Sequence, residues 1–403
     1  MNPVRATALV ALSLISVAVQ AEQITLSEAI RRATAGNAEL TALAAELRAA
    51  EASTRQAGRR ANPEVELSVE NAGAEEAATE TTVAVGQLVE LGGDRRARVD
   101  AATAARDIVM LDHEARRRDV EARVRTAFAS FVAAQQQLSI ARENLTSAEA
   151  AFGAIRDRVA AGKVSPIEET RAGVTVSMER IELSRAEADV QSARIGLAST
   201  FAPTGGGGAA DLVAVEEDST AASNAVSATV DAHPELRRAE TIVVQREAEA
   251  RVERARGVPD LRASAGVRGY EGGDGPAAVA GVSMSLPFFD RNRDAVAAAL
   301  ARVEAARADV VAARVRLTRD LDEARIRRTA AQQNVDRFRA EIIPAAESVH
   351  EAITEGYRLG KFGYLEVLDA RRTLAQARQQ HVAARRELEL ARIEVERLTG
   401  GWK

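Results

Sequence analysis

The chain repeats itself once. Asn37-Ala38-Glu39-Leu40 recurs 196 residues later as His233-Pro234-Glu235-Leu236, and Asn62-Pro63-Glu64 recurs at the same offset as Val258-Pro259-Asp260. Ala161-Gly162-Lys163 returns as Leu359-Gly360-Lys361 at offset 198. Between these anchors Ala134, Leu138, Ala141, Leu145, Ala148, Phe152 and Ile155 reappear as Ala331, Val335, Phe338, Ile342, Ala345, Val349 and Ala352, all at offset 197. A period this long marks a duplicated supersecondary unit. Whatever one half builds, the other half must build as well.

Each half presents the same order of elements. A helix of about 35 residues comes first, Leu26 to Arg60 and then Ala225 to Gly257, and Pro63 or Pro259 follows it. Next come two stretches with the alternation of a strand that has one apolar and one polar face. In the first, Val65, Leu67 and Val69 alternate with Glu66 and Ser68; in the second, Val83, Val85, Val89 and Leu91 carry the pattern. Their counterparts lie on either side of Glu271-Gly272-Gly273-Asp274-Gly275. The strands are of a length that crosses a bilayer when tilted. Asp94 after Gly92-Gly93, and Asp290-Arg291-Asn292 after Phe289, are placed to cap the helices that follow.

The organisation expected is therefore a leader over 1–21, a first unit over 22–202 with strands near 63–70 and 82–91, and a linker over 203–225. A second unit covers 226–399 with strands near 260–270 and 277–288, and 400–403 form a tail. Pro203-Thr204 and Gly205 to Gly208 open the linker.

The helix after the first strand pair carries the strongest local signal. From Val120 through Val124, Ala127, Phe131, Ala134, Leu138, Ala141, Leu145, Ala148, Phe152 and Ile155 to Val159, apolar residues alternate in steps of four and three. That is a sustained coiled-coil seam. A tight turn at Gly162 or Gly360 then reverses the chain into a return helix, Ile167 to Phe201 or Tyr364 to Leu398. The seam by itself fits a soluble periplasmic coiled-coil adaptor or scaffold. The inserted strand pairs argue against a plain rod: four amphipathic strands cannot close a membrane barrel alone, and an open edge is not tolerated in lipid. Several chains must pool their strands, and three would supply twelve.

Composition narrows the chemistry. Cysteine is absent, which removes disulfides, thiolate metal sites and cysteine nucleophiles. The four histidines, His113, His233, His350 and His381, have no second histidine at ligand spacing, so neither a resident metal nor a cofactor is expected. The net charge is −5 with both signs dispersed, which suits no nucleic acid. No catalytic set or phosphate-binding loop stands out. Arg5, the apolar stretch Ala8 to Val19 and the small residues around Ala21 read as a secretory signal peptide.

Three segments carry a family resemblance: Gln87-Leu88-Val89-Glu90-Leu91-Gly92-Gly93, Ser285-Leu286-Pro287-Phe288-Phe289-Asp290-Arg291-Asn292, and Gly360-Lys361-Phe362-Gly363-Tyr364-Leu365-Glu366-Val367-Leu368-Asp369-Ala370. With the duplication, they make the chain similar to the TolC family of outer-membrane efflux proteins, and the first two most resemble its cobalt-zinc-cadmium type heavy-metal branch. The resemblance implies a mainly α fold with a β-barrel part: a homotrimer whose twelve-stranded barrel sits in outer-membrane lipid and continues into the periplasm as an α-helical barrel. It implies no enzyme but the exit duct of a tripartite pump. A periplasmic adaptor (membrane fusion) protein would join it to an inner-membrane transporter of the resistance-nodulation-division (RND) class. A multidrug or type I secretion exit duct of the same fold is the alternative.

Position by position, Gly162, Lys163, Gly360 and Lys361 match the family's periplasmic tips, where adaptor hairpins dock. Glu366 and Asp369 match paired acidic positions near the pore constriction; spaced i, i+3, they lie on one helix face, and threefold symmetry would make them two cation-attracting rings. Tyr357 and Glu168 match further gate positions. The pattern breaks at Phe362, where some relatives carry a gating arginine, so an apolar constriction is expected there instead. Many relatives also carry a lipidated N-terminal cysteine, which this chain lacks, and Tyr270, Phe288 and Phe289 are the only rings near the strands.

Overall fold

A computed structural model describes residues 22–73, 78–201, 212–215, 229–273 and 275–399. The signal peptide over 1–21, Gly205 to Gly208 of the linker and the tail 400–403 lie outside the described residues.

The chain opens with strand β1 (Glu22–Ile24), followed by helices α1 (Leu26–Gly36) and α2 (Ala38–Ala57). One 35-residue helix was expected here; two are found, because Asn37 leaves the helical conformation (φ −77°, ψ 118°) and its side chain accepts from the Leu40 amide at 3.1 Å. Asparagine at such a point satisfies an orphan donor of the new helix. The second half makes the same break at His233, whose Nδ1 accepts from the Glu235 amide at 3.3 Å ahead of α5 (Pro234–Arg256). The recurrence of Asn37-Ala38-Glu39-Leu40 as His233-Pro234-Glu235-Leu236 is thus a recurrence of helix caps. In the second half the helix starts at Pro234 rather than near 225, after a 3-10 turn at Val230–Ala232.

Strands β2 (Glu64–Glu70) and β3 (Glu80–Val89) lead into α3 (Asp94–Ala160), and α4 (Pro166–Ala198) returns. With 67 residues, α3 is about 100 Å long at 1.5 Å per residue. Its start differs from expectation: Gly93, at φ 78°, is the cap, and Asp94 is the buried first helical residue. Strand β4 (Leu212–Ala214), within the segment expected as linker, pairs in parallel with β1.

The second half supplies β5 (Leu261–Tyr270), β6 (Ala277–Met284) and α6 (Arg293–Arg337). β6 stops at Met284 rather than Phe288, short of Pro287, which cannot donate to a ladder. Asn292 precedes α6 at φ 56° and makes no side-chain cap bond. Its Nδ2 donates instead to the Glu253 carbonyl at 2.7 Å and to Glu253 Oε2 at 2.9 Å. A π turn at Phe338–Ile342 separates α6 from α7 (Ile343–Arg358), and α8 (Tyr364–Thr399) returns.

The strands of both halves form one antiparallel sheet in the order β2-β3-β5-β6, with β3 and β5 paired from Glu80↔Tyr270 to Val89↔Leu261. The main core joins α1, α3, α4 and the β1–β4 pair. Ile24, Val120, Val124, Phe131, Leu197 and Leu212 are at most 1 % exposed. Burying each such side chain stabilises the fold by roughly 1.5–3 kcal/mol. No described helix is long and apolar enough to cross a membrane.

Candidate functional site

The residues expected from the sequence fall in two places in the fold: the four-stranded sheet and the paired helical turns.

Residues directly opposite across strands share a face. The register sets Val65, Leu67 and Val69 of β2 beside Val85, Val83 and Thr81 of β3. Val85 and Val83 face Ala265 and Val267 of β5, which face Ala280 and Ala278 of β6. This face is apolar and open: Val65 is 75 % exposed and Val282 71 %. The other face holds Glu64, Glu66, Ser68, Glu70, Glu80, Thr82, Arg262, Ser264, Arg268 and Ser283. There Arg268 Nη1 pairs with Glu80 at 2.7 Å, and its Nε donates to Thr82 Oγ1 at 3.0 Å. Arg262 reaches across β3, over Gly86, to pair with Glu64. A Cβ at Gly266 would overlap the Val83 carbonyl, so only glycine lets these two strands approach as they do. One apolar and one polar face is the division that a membrane strand set needs between lipid and lumen. The outer edges of β2 and β6 have no strand partner among the described residues.

Both helical turns end in the same way. Gly162 at φ 67° donates to Val159 O at 2.9 Å and Lys163 donates to Arg158 O at 2.9 Å; Gly360 at φ 73° donates to Tyr357 O at 3.1 Å and Lys361 to Gly356 O at 2.8 Å. These are Schellman closures, in which the left-handed residue is glycine because a Cβ is disfavoured there. Both lysines are exposed.

Beyond the turns the hairpins diverge. Ser165 caps α4, its hydroxyl accepting from the Ile167 amide at 3.4 Å, with Pro166 in the first turn. On the second hairpin Phe362 is 45 % exposed, its ring resting so closely on Gly356 that a Cβ there would collide with it. Glu366 and Asp369 are both exposed in the first turns of α8. The Glu366 carboxylate folds back toward Gly363, where a Cβ would lie 2.9 Å from Oε2. An acidic group in that position is favoured by the helix dipole.

Tyr357 and Glu168 do come into one neighbourhood, but not as a hydrogen-bonded pair. The Tyr357 hydroxyl and Glu168 Oε2 are both buried without a partner. Two residues that sequence reasoning passed over lie at the centre of this cluster. Tyr364 is 4 % exposed and packs with Ile155 and Ala172, and Arg158 sets its Cζ 4.6 Å from the centroid of the Tyr357 ring. Burial pushes the Tyr364 phenol up; Arg371 opposes this, while Tyr357 and Glu168 reinforce it. An aromatic beside a turn, in a chain only 3 % aromatic, was the available signal.

The family described as outer membrane efflux protein matches the chain twice, over residues 29–201 and 225–401. The cobalt-zinc-cadmium resistance protein CzcC of Cupriavidus metallidurans is 32 % identical over 381 residues, covering 94 % of this chain and 90 % of that protein. The nickel-cobalt-cadmium resistance protein NccC of Alcaligenes xylosoxydans xylosoxydans is 30 % identical, over 66 % of this chain and 61 % of its own length. In fold the chain is similar to CusC, with a TM-score of 0.76 at 16 % identity and coverage of 93 % and 91 %. It is equally similar to the outer membrane protein VceC of Vibrio cholerae, with a TM-score of 0.76 at 18 % identity and coverage of 93 % and 96 %.

Proposed function

This chain belongs to the outer membrane efflux protein family, and from that premise we propose that it is the trimeric exit duct of a tripartite pump that expels heavy-metal cations. The chain is an outer-membrane efflux channel, a transport duct and not an enzyme. The observation that carries the trimer is the sheet. Its apolar face needs lipid, and its two open edges need strands beyond the four that the described residues of one chain supply. Three copies joined β6 to β2 give a closed barrel of twelve strands. Exposed apolar residues on α4 (Ile167, Val174, Met178, Ile181) and α6 (Val311, Val315, Ile326) supply surfaces for neighbouring helices in the same assembly.

In that assembly the turns at Gly162-Lys163 and Gly360-Lys361 receive the periplasmic adaptor, which links the duct to an RND transporter in the inner membrane. Glu366 and Asp369, exposed on one face of α8, form carboxylate rings that favour cations. Phe362, in the place of a gating arginine, narrows the same region with an apolar ring. Metal cargo is supported by the relatives named for cobalt, zinc, cadmium and nickel resistance. A weaker likeness, 26 % identity to the pyoverdine export outer membrane protein OpmQ, supports an organic cargo instead.

Growth inhibition of a strain lacking the protein, with and without a rescuing copy, separates the two cargoes. Sensitivity confined to zinc, cobalt, cadmium or nickel salts is expected; sensitivity to dyes, detergents or chelating organic compounds would transfer the assignment to an organic exporter. For the constriction, Glu366→Gln with Asp369→Asn is expected to reduce cation selectivity of the purified channel, read as the reversal potential in a salt gradient. An unmoved potential would remove both residues from the pore.

A further inference from the structure

The four helices at the turns meet around one side chain. Tyr364, the first residue of α8, is almost wholly buried, and its companions come from both hairpins of the same chain. Ile155 of α3 and Ala172 of α4, each 1 % exposed, form its bed; Phe152 and Val159 of α3 and Tyr357, Val367 and Leu368 of the second hairpin surround them. The Tyr357 and Tyr364 rings stand 6.2 Å apart at 50°, within the range of a favourable tilted pair. The Arg158 guanidinium lies over the Tyr357 ring in cation–π contact. These residues form no ion pair with one another, and two buried polar atoms, the Tyr357 hydroxyl and Glu168 Oε2, are left without partners.

We propose that Tyr364 is a clasp that holds the two hairpins of each chain together, with Tyr357 and Arg158 closing over it. The tip then opens by drawing an aromatic ring off Ile155 and Ala172, not by breaking a hydrogen-bonded or ionic latch. The packing holds the second hairpin, which carries Phe362, Glu366 and Asp369, against the first. Glu168 keeps an acceptor free in the closed state, ready for water or a partner once the ring withdraws. Ala172 is small because the ring occupies the space a larger side chain would take. This inference rests on the reading of the tips as the constricted end of a duct and specifies what holds that end shut.

The absence of native cysteine gives a direct test. The thiol introduced by Ala172→Cys is buried under the ring and should react slowly with a maleimide in the purified, membrane-assembled protein. Adding Tyr364→Ala should speed that labelling severalfold and raise single-channel conductance. Tyr364→Phe, which keeps the ring, should leave both at the parent's values. Arg158→Gln, which leaves the apolar bed in place, should move labelling in the same direction by less, and it serves if Tyr364→Ala fails to assemble. Parent-like labelling in both Tyr364→Ala and Arg158→Gln would overturn the clasp. So would a Tyr364→Phe variant that behaves like Tyr364→Ala, since the hydroxyl and not the ring would then be holding. Faster labelling with unchanged conductance would overturn its part in closing the pore. The reversal potential of the Glu366→Gln, Asp369→Asn channel is read separately. If that potential shifts while labelling does not, the constriction stands and the clasp falls.

Discussion

The two hairpins share a frame and differ in how they are held. Both reverse at a left-handed glycine followed by a lysine, with the same pair of backbone hydrogen bonds. Yet α3 runs unbroken for 67 residues, whereas its counterpart is cut into α6 and α7 by a π turn just before Pro344. At offset 197 the first half has Ser147 in place of Pro344, and serine keeps the amide that proline lacks. A π turn is a known way for a helix to absorb such a break. After the turns the contrast continues: Ile167 of α4 is 62 % exposed, whereas Tyr364 of α8 is 4 % exposed. Duplication preserved the backbone geometry that any antiparallel helix pair needs. It left the side chains free to differ, so that one hairpin has an unbroken first helix and an exposed Ile167 while the other is jointed and buries Tyr364.

The sharpest way to break this comparison is to truncate both positions. Tyr364→Ala removes a fully packed ring and should cost about 3 kcal/mol of local stability. Ile167→Ala, already exposed in one chain, should cost well under half as much. Hydrogen exchange in α7 and α8 against α3 and α4 reads both, and equal losses would mean that the hairpins are held alike. Next in size, the turns should respond equally. Gly162→Ala and Gly360→Ala each force a Cβ into the left-handed region at about 1–2 kcal/mol, seen as a lowered melting temperature. A large difference between the two would show that the shared frame is not shared energetically.

The smallest effect is that of acid. Burial lowers the pKa of His350, helped by Arg371 and Arg378 and opposed by Glu351; burial likewise lowers His381, helped by Arg385 and Arg339. A histidine held below its unfolded value is neutral in the native state, so the stability tied to that state is complete above about pH 6.5 and is lost as pH falls through that value toward the folded pKa. Both residues lie in the second hairpin. Lowering the pH from 7 to 5.5 should therefore loosen α7 and α8 before α3 and α4, and His350→Gln should blunt the change. Identical acid sensitivity in both hairpins would refute the assignment.

Much of the frame was legible because it rests on local periodicity. The seam from Val120 to Val159 packs inward at Val120, Val124, Phe131, Ala141, Ala148 and Ile155, and the alternation at Val65, Leu67 and Val69 does sort one face of a sheet from the other. Glycine before a lysine announced both turns. What stayed hidden depends on partners distant in sequence. Strand β4 is three residues in a polar segment and exists because Leu212 meets Glu22 and Val213 meets Gln23. Asn37 reads as a mid-helix polar residue until the chain bends there. Tyr364 sits in a motif that drew attention to its acidic neighbours, and its burial comes from Ile155 and Ala172 on the other hairpin. The i, i+3 spacing of Glu366 and Asp369 put them on one helix face, but the return of the Glu366 carboxylate toward Gly363 follows from the helix starting where it does.

The short parallel pair β1–β4 has a consequence for the order of assembly. A chain delivered across a membrane from its N-terminal end releases Glu22–Ile24 early, yet their strand partner, Leu212–Ala214, follows half a chain later. Ile24 and Leu212 belong to the same core as Phe131 and Leu197. That core therefore stays unsealed until delivery has passed the midpoint, whereas α3 and α4 can pair with each other as soon as both have emerged. The first half is a drawstring bag whose cord is pulled tight last, and the second half is threaded out from the knot.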